Sequence, residues 1–208
     1  MHGTAMERAS LAVRHDFDAL PRSAEVEVRP AIRAELATLA DMANRLVPGV
    51  QIGEAELQRY FGFDSESILT FSRKGKLLGA VAFLYLNNRG HDALILDAMS
   101  LTHPDVEMLA TPAEEVSAIY VWAIAGQGRA MAGLGNVSQH LSGARFAPAD
   151  LYAHPATDAG RELMVALGFR RTPSFQPDLW CYQRPWNRLP LMVPATHVAT
   201  RSLANARH

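Results

Sequence analysis

The feature that most constrains this chain is the run Leu77-Leu78-Gly79-Ala80-Val81-Ala82-Phe83-Leu84-Tyr85-Leu86, which is apolar at consecutive positions. A strand with one wet face alternates apolar and polar residues; a strand without alternation is covered on both sides. The chain must therefore place other elements over both faces of a sheet. Just upstream, Ile68-Leu69-Thr70-Phe71 is joined to this run through Arg73-Lys74-Gly75-Lys76. Two β-rich runs around a basic, glycine-containing turn predict an antiparallel hairpin.

The remaining elements follow from periodicity and punctuation. Val26–Arg29 alternates and ends at Pro30, which predicts a short strand. Ile32, Leu36, Leu39, Met42 and Leu46 recur at helical spacing until Pro48-Gly49, and a second helix fits Glu54–Phe61. Ala93–Leu101 reads as a strand, and Ser117–Ala125 as a buried one that opens into a helix running to about Leu141. Asp150–His154 is a short strand stopped by Pro155. Thr157 is placed to cap a helix that Gly168 ends, and Phe169–Thr172 and Leu179–Gln183 form a final strand pair. The expected class is α/β, a mixed sheet with helices on both faces. The 208 residues suit one domain over 26–184, with an extension at 1–25 and a surface tail at 185–208.

Composition narrows the function classes. A formal net charge of -1 predicts no attraction to nucleic acid or to an anionic membrane. No run of about 18 apolar residues predicts a spanning helix. Charged residues near the start (Glu7, Arg8, Arg14, Asp16) break any apolar leader core, and the lone Cys181 can form no internal disulfide, so a reducing cytoplasm is the expected location. His103, Asp105 and Glu107 alternate along a proline-containing loop without a partner set, so no metal site is expected.

The segment with chemistry follows the 117–125 strand: Gly126-Gln127-Gly128-Arg129-Ala130-Met131-Ala132-Gly133. A strand that opens through a small-residue loop into a helix presents unpaired N–H groups and the positive end of a helix dipole, which suits a diphosphate. An Ala/Gly-rich loop that merely packs tightly fits the same pattern.

Gln127-Gly128-Arg129-Ala130-Met131-Ala132 resembles the coenzyme A loop of the GNAT N-acetyltransferase superfamily, Gln/Arg-x-x-Gly-x-Gly/Ala, with Ala130 standing where the family has glycine. Downstream, Asp150–Phe169 resembles the next family block, ending in Leu167-Gly168-Phe169. The resemblance covers residues 26–184 and is most specific at 117–170. It implies a mostly antiparallel sheet in which the 117–125 and 150–154 strands run parallel and splay apart. It also implies acetyl-CoA as co-substrate, with the pantetheine arm at Ala123, Ile124 and Ala125. The diphosphate would lie on Gln127, Gly128, Arg129, Ala130, Met131 and Ala132, and Thr157 would stand where the family has asparagine.

The activity implied is transfer of an acetyl group to a primary amine, on a small molecule or a peptide, by direct attack. The alternative is a catalytically silent module that binds coenzyme A or an acyl carrier. Acyl transfer from a thioester needs a base, an oxyanion donor and often an acid for the thiolate. The family's acid is a tyrosine four residues before Gly-Phe, and here that position is Met164. Tyr152 is the replacement candidate, against a reading as an ordinary core tyrosine. Glu115 is the candidate base, against a reading as a solvated turn residue. His91, His103 and His154 titrate in the same range. Tyr120 and Trp122 share a strand face, as pocket lining or as core. A homodimer is compatible with the edge strands and required by nothing in the sequence.

Overall fold

A computed structural model describes residues 16–47, 51–185 and 187; the expected start of the N-terminal extension, the Pro48-Gly49 stop and the tail from 188 lie outside the described residues. The elements are β1 (Glu27–Pro30), α1 (Leu36–Leu46), α2 (Glu54–Phe63), β2 (Ile68–Arg73), β3 (Lys76–Leu86), α3 (Asn88–Ile95), β4 (Ala118–Gly126), α4 (Leu134–His140), β5 (Asp150–Ala153), α5 (Asp158–Ala166), β6 (Arg170–Arg171) and β7 (Trp180–Tyr182). They build one seven-stranded sheet in the order β1-β2-β3-β4-β5-β7-β6. Every neighbouring pair is antiparallel except β4 and β5.

The β2–β3 turn is Lys74-Gly75, both at positive φ (52° and 74°), the turn geometry that matches the twist of a tight hairpin. β3 lies between β2 and β4, and Val81–Leu86 is buried throughout, as the unbroken apolar run requires. Alternate residues feed opposite layers. Val81, Phe83, Tyr85, Ile119 and Leu151 pack with α4, α5 and the N-terminal Phe17 and Val26. Leu84, Leu86, Tyr120 and Tyr152 pack on the other face with α3, and Ile68 and Ala82 pack there with α1 and α2.

The strand expected over Ala93–Leu101 is instead helix α3 followed by a turn. Asn87 caps that helix by accepting from the Gly90 amide, and Ala93 and Leu94 form its buried side. β3 and β4 pair directly with each other along their length, so the sheet has no slot for a strand there. The β-prone run Leu94-Ile95-Leu96 misleads because a short apolar run does not distinguish helix from strand.

β4 carries a β-bulge at its middle. Ala82 pairs with Ala123, but Phe83 pairs with Val121, so Trp122 is the extra residue. A bulge rephases the strand beyond it. Val121 and Ile124 therefore pack on the α4–α5 face, while Trp122, Ala123 and Ala125 turn toward α1.

Candidate functional site

β4 and β5 run side by side for four rungs, from Ala118–Asp150 to Val121–Ala153. There the ladder stops. β4 continues to Gly126, while the chain after β5 reaches Pro155, which has no N–H to offer, and turns into α5. The β4 edge from Trp122 to Gly126 is thus left without a strand partner on the β5 side. An extended molecule with amide groups can take the missing place, as a peptide does when it adds to a sheet edge.

That edge leads into the loop 127–133. Within it the Gln127 amide bonds Leu78 O (2.9 Å), the Ala130 amide bonds Gln127 O (3.1 Å), and the Ala132 amide bonds Arg129 O (3.0 Å). The amides of Gly128, Arg129 and Met131 donate to no acceptor among the described residues. Three of the six amides of the expected diphosphate loop are therefore occupied, and the other three have no acceptor among the described residues. Gly128 sits at φ 57° with nothing within 4 Å of a would-be Cβ, so it adopts a left-handed conformation on an open surface. Ala130, the departure from the family's glycine, is 0% exposed and packs in the core. Its methyl points inward and leaves the outer face of the loop clear. The Arg129 guanidinium is held sideways by Glu25 (2.9 Å), which also pairs with Arg73 (2.9 Å).

Thr157 caps α5, its Oγ1 accepting from the Gly160 amide at 3.0 Å. Met164 is 5% exposed and lines an apolar gap of about 20 Å³ with Val121, Ile124 and Leu134. The position of the family's acid is therefore plain core in this chain.

Tyr152 stands on the other face from Met164, so it does not occupy the family tyrosine's place. Its hydroxyl lies 3.0 Å from His91 Nε2. Burial raises its pKa, with Cys181 and Asp150 adding to the rise. Cys181 is itself pushed up to about 12 by burial and is no nucleophile. Tyr152 pairs directly across the ladder with Tyr120, whose hydroxyl is 3.0 Å from His154 Nδ1. Burial lowers the pKa of both His91 and His154, which keeps both neutral near pH 7; Asp178 and Asp97 pull the second back upward. Trp122 donates to Leu101 O at 2.7 Å and meets the Tyr60 ring edge-on at 5.0 Å.

Two Tyr–His pairs thus sit side by side at the last rungs before β4 and β5 part. The sequence offered each residue singly. Their pairing depends on the parallel register of β4 and β5 and on where α3 lies, which a local pattern does not encode. Glu115 is not brought to this place. It is exposed and precedes β4, at the joined end of the strand pair.

A mixed sheet of this order, a parallel pair that parts at its end, and a small-residue loop at the end of β4 define a GNAT-like fold. No protein-family model matches the chain, and no curated protein sequence matches it. Solved structures do. They include the GphF GNAT-like decarboxylase in complex with isobutyryl-CoA, at 17% identity and TM-score 0.48 over 66% of this chain and 70% of that one. The loading GNATL domain of CurA from Lyngbya majuscula matches at 15% and 0.48, over 62% of this chain and 64% of that one. NAA60 from Arabidopsis thaliana, in complex with acetyl-CoA, matches at 14% and 0.49, over 76% and 99%. All three lie below a TM-score of 0.5.

Among the described residues, no group of three or more His, Cys, Asp or Glu is placed to hold a metal ion, and no helix is long and apolar enough to cross a membrane.

Proposed function

We propose that this chain is an acyl-CoA-dependent N-acyltransferase, moving an acyl group, in the simplest case acetyl from acetyl-CoA, onto a primary amine of a small molecule or peptide. The observation that supports this best is the unpaired β4 edge, Trp122–Gly126, leading into a loop whose Gly128, Arg129 and Met131 amides are available. The pantetheine amides lie along Ala123, Ile124 and Ala125, and the diphosphate lies on the loop from Gln127 to Ala132.

In the reaction the amine nitrogen bonds to the thioester carbon, the C–S bond breaks, and the amine's proton ends on the coenzyme A sulfur. The Tyr120–His154 pair takes up the amine proton, Tyr152, backed by His91, protonates the thiolate, and transfer of one proton from the first pair to the second, directly or through solvent, restores both. Glu115 has no part in this scheme, because it precedes β4 at the joined end of the strand pair rather than where the strands part.

A second reading is a module that binds the donor without turning it over. The burial of both phenols, with Tyr120 4% and Tyr152 6% exposed, favours it.

Calorimetric titration with acetyl-CoA and free coenzyme A tests the donor site. Micromolar binding that is lost in Gly128→Glu/Arg129→Glu supports it, and no binding by the unaltered chain removes both readings. A panel of primary amines, followed by release of free thiol, then separates the enzyme from the silent module.

A further inference from the structure

The bulge at Trp122 reshapes the α1 face of the sheet. Because it rephases β4, both Ala123 and Ala125 face α1, where the unbulged strand would send both to the other side. Across the ladder they meet Ala82 and Ala80 respectively, giving two Ala–Ala cross-strand pairs on one face, separated only by the Val81–Ile124 rung that faces the other side. Alanine is a poor strand former because it offers little side chain to pack against its neighbours, so four of them together leave space. The space is there: an apolar cavity of about 30 Å³ over the four methyls, roofed by Leu39 and Met42 of α1. One water-sized sphere needs about 10–15 Å³ in the same measure, so the cavity has room for about two carbon-sized groups. No charged residue lines it.

Two of the four alanines, Ala123 and Ala125, lie on the stretch of β4 whose edge is open toward β5. The floor of the cavity thus includes side chains of the same stretch of β4 whose edge a thioester donor would follow. We propose that this cavity receives the acyl chain of the donor, and that the donor carries a short saturated acyl group longer than acetyl, of about the size of butanoyl. This rests on the acyl-CoA reading of the β4 edge and adds the class of acyl group. An acetyl methyl would leave the cavity empty, whereas a butanoyl chain would cover the alanine floor and bury two further carbons. Longer chains would meet Leu39 and Met42. The two cross-strand alanine pairs, unfavourable for the sheet itself, then have a reason in the ligand.

The test is calorimetric titration of the full chain with coenzyme A, acetyl-CoA, butanoyl-CoA and octanoyl-CoA. At about fourfold per buried methylene, butanoyl-CoA is expected to bind roughly 15-fold more tightly than acetyl-CoA, with octanoyl-CoA gaining nothing further. In Ala82→Val the added methyls occupy the cavity from β3, and the butanoyl-to-acetyl ratio is expected to fall to about 1. Met42→Ala, which enlarges the cavity from α1, is expected to move the optimum to a longer chain; it keeps the test decisive should the valine variant fold poorly. Equal binding of acetyl- and butanoyl-CoA overturns the acyl-chain inference and leaves the donor site standing. Binding of none of the four overturns the donor site and this inference with it.

Discussion

The methyl of Ala130 occupies the space that a side chain at position 126 would need: a Cβ built on Gly126 falls 2.7 Å from Ala130 Cβ and 2.9 Å from Met131 Cε. The end of β4 and the first turn after the loop can therefore approach each other only because one of the two positions lacks a side chain. Gly126→Ala is expected to push the 127–132 loop outward and to destabilise the chain by about 1–3 kcal/mol, the usual cost of overpacking. Adding Ala130→Gly to that variant is expected to restore most of the loss. Urea unfolding of the single and double variants measures it, and equal stability of the two would show that the contact does not limit the loop.

Arg184 ties the N-terminal segment to the rest of the molecule. It is 0% exposed, pairs with Asp18, and donates to Leu141 O at 2.8 Å and Ala149 O at 3.2 Å. Arg184→Met is expected to cost about 3–5 kcal/mol, since it leaves a partly buried carboxylate and two buried carbonyls without their donor. Adding Asp18→Leu is expected to recover part of that, which a double-mutant cycle by urea unfolding would read.

Stability is expected to fall on mild acidification. Burial depresses the pKa of His91, His140 and His154 below the ordinary histidine value of 6.5. Below about 6.5 the unfolded chain therefore takes up protons that the native chain resists, and the unfolded state gains. Nearby carboxylates moderate the effect without cancelling it: Asp92 and Asp150 at His91, Glu66 and Asp64 at His140, Asp178 and Asp97 at His154. The stability contributed by neutral histidine is fully present above about pH 6.5 and declines below it, down to each depressed native pKa. Urea midpoints taken between pH 8 and 5 should slope in that window, and His154→Asn should reduce the slope. A slope unchanged by that substitution would show that His154 titrates alike in both states.

Thr157 separates two roles by a single substitution. As the α5 cap, its loss in Thr157→Ala is expected to cost about 1 kcal/mol. If capping is its whole role, acetyl-CoA affinity stays within twofold of the unaltered chain. A tenfold loss of affinity would instead place its hydroxyl against the pantetheine.

Much of the fold is legible residue by residue. The unbroken run Leu77–Leu86 is the central strand, Lys74-Gly75 is the hairpin turn, and Thr157 is the cap, because each depends on neighbours within one turn or one strand. The site is legible only in part. The small residues of the loop are visible in the sequence, but not which amides they leave free. The direction of the Ala130 methyl is equally hidden, because it is set by the closeness of Gly126. Glu115 is a candidate by its nearness in sequence to the β4 strand, and its place at the joined end of the strand pair follows from where β5 pairs and stops.

By itself, the sequence determined that this chain must bury a strand on both faces, that a small-residue loop follows a late strand, and that the tyrosine position of the family holds a methionine. Periodicity and local turn chemistry act over a few residues, and those features need no more. Tertiary structure alone decided the bulge at Trp122, the Tyr120–Tyr152 rung with a histidine on each phenol, and the alanine-floored cavity under α1. Each of these depends on register between strands distant in the chain. Since side chains alternate with a period of two, one inserted residue changes which face every later side chain meets.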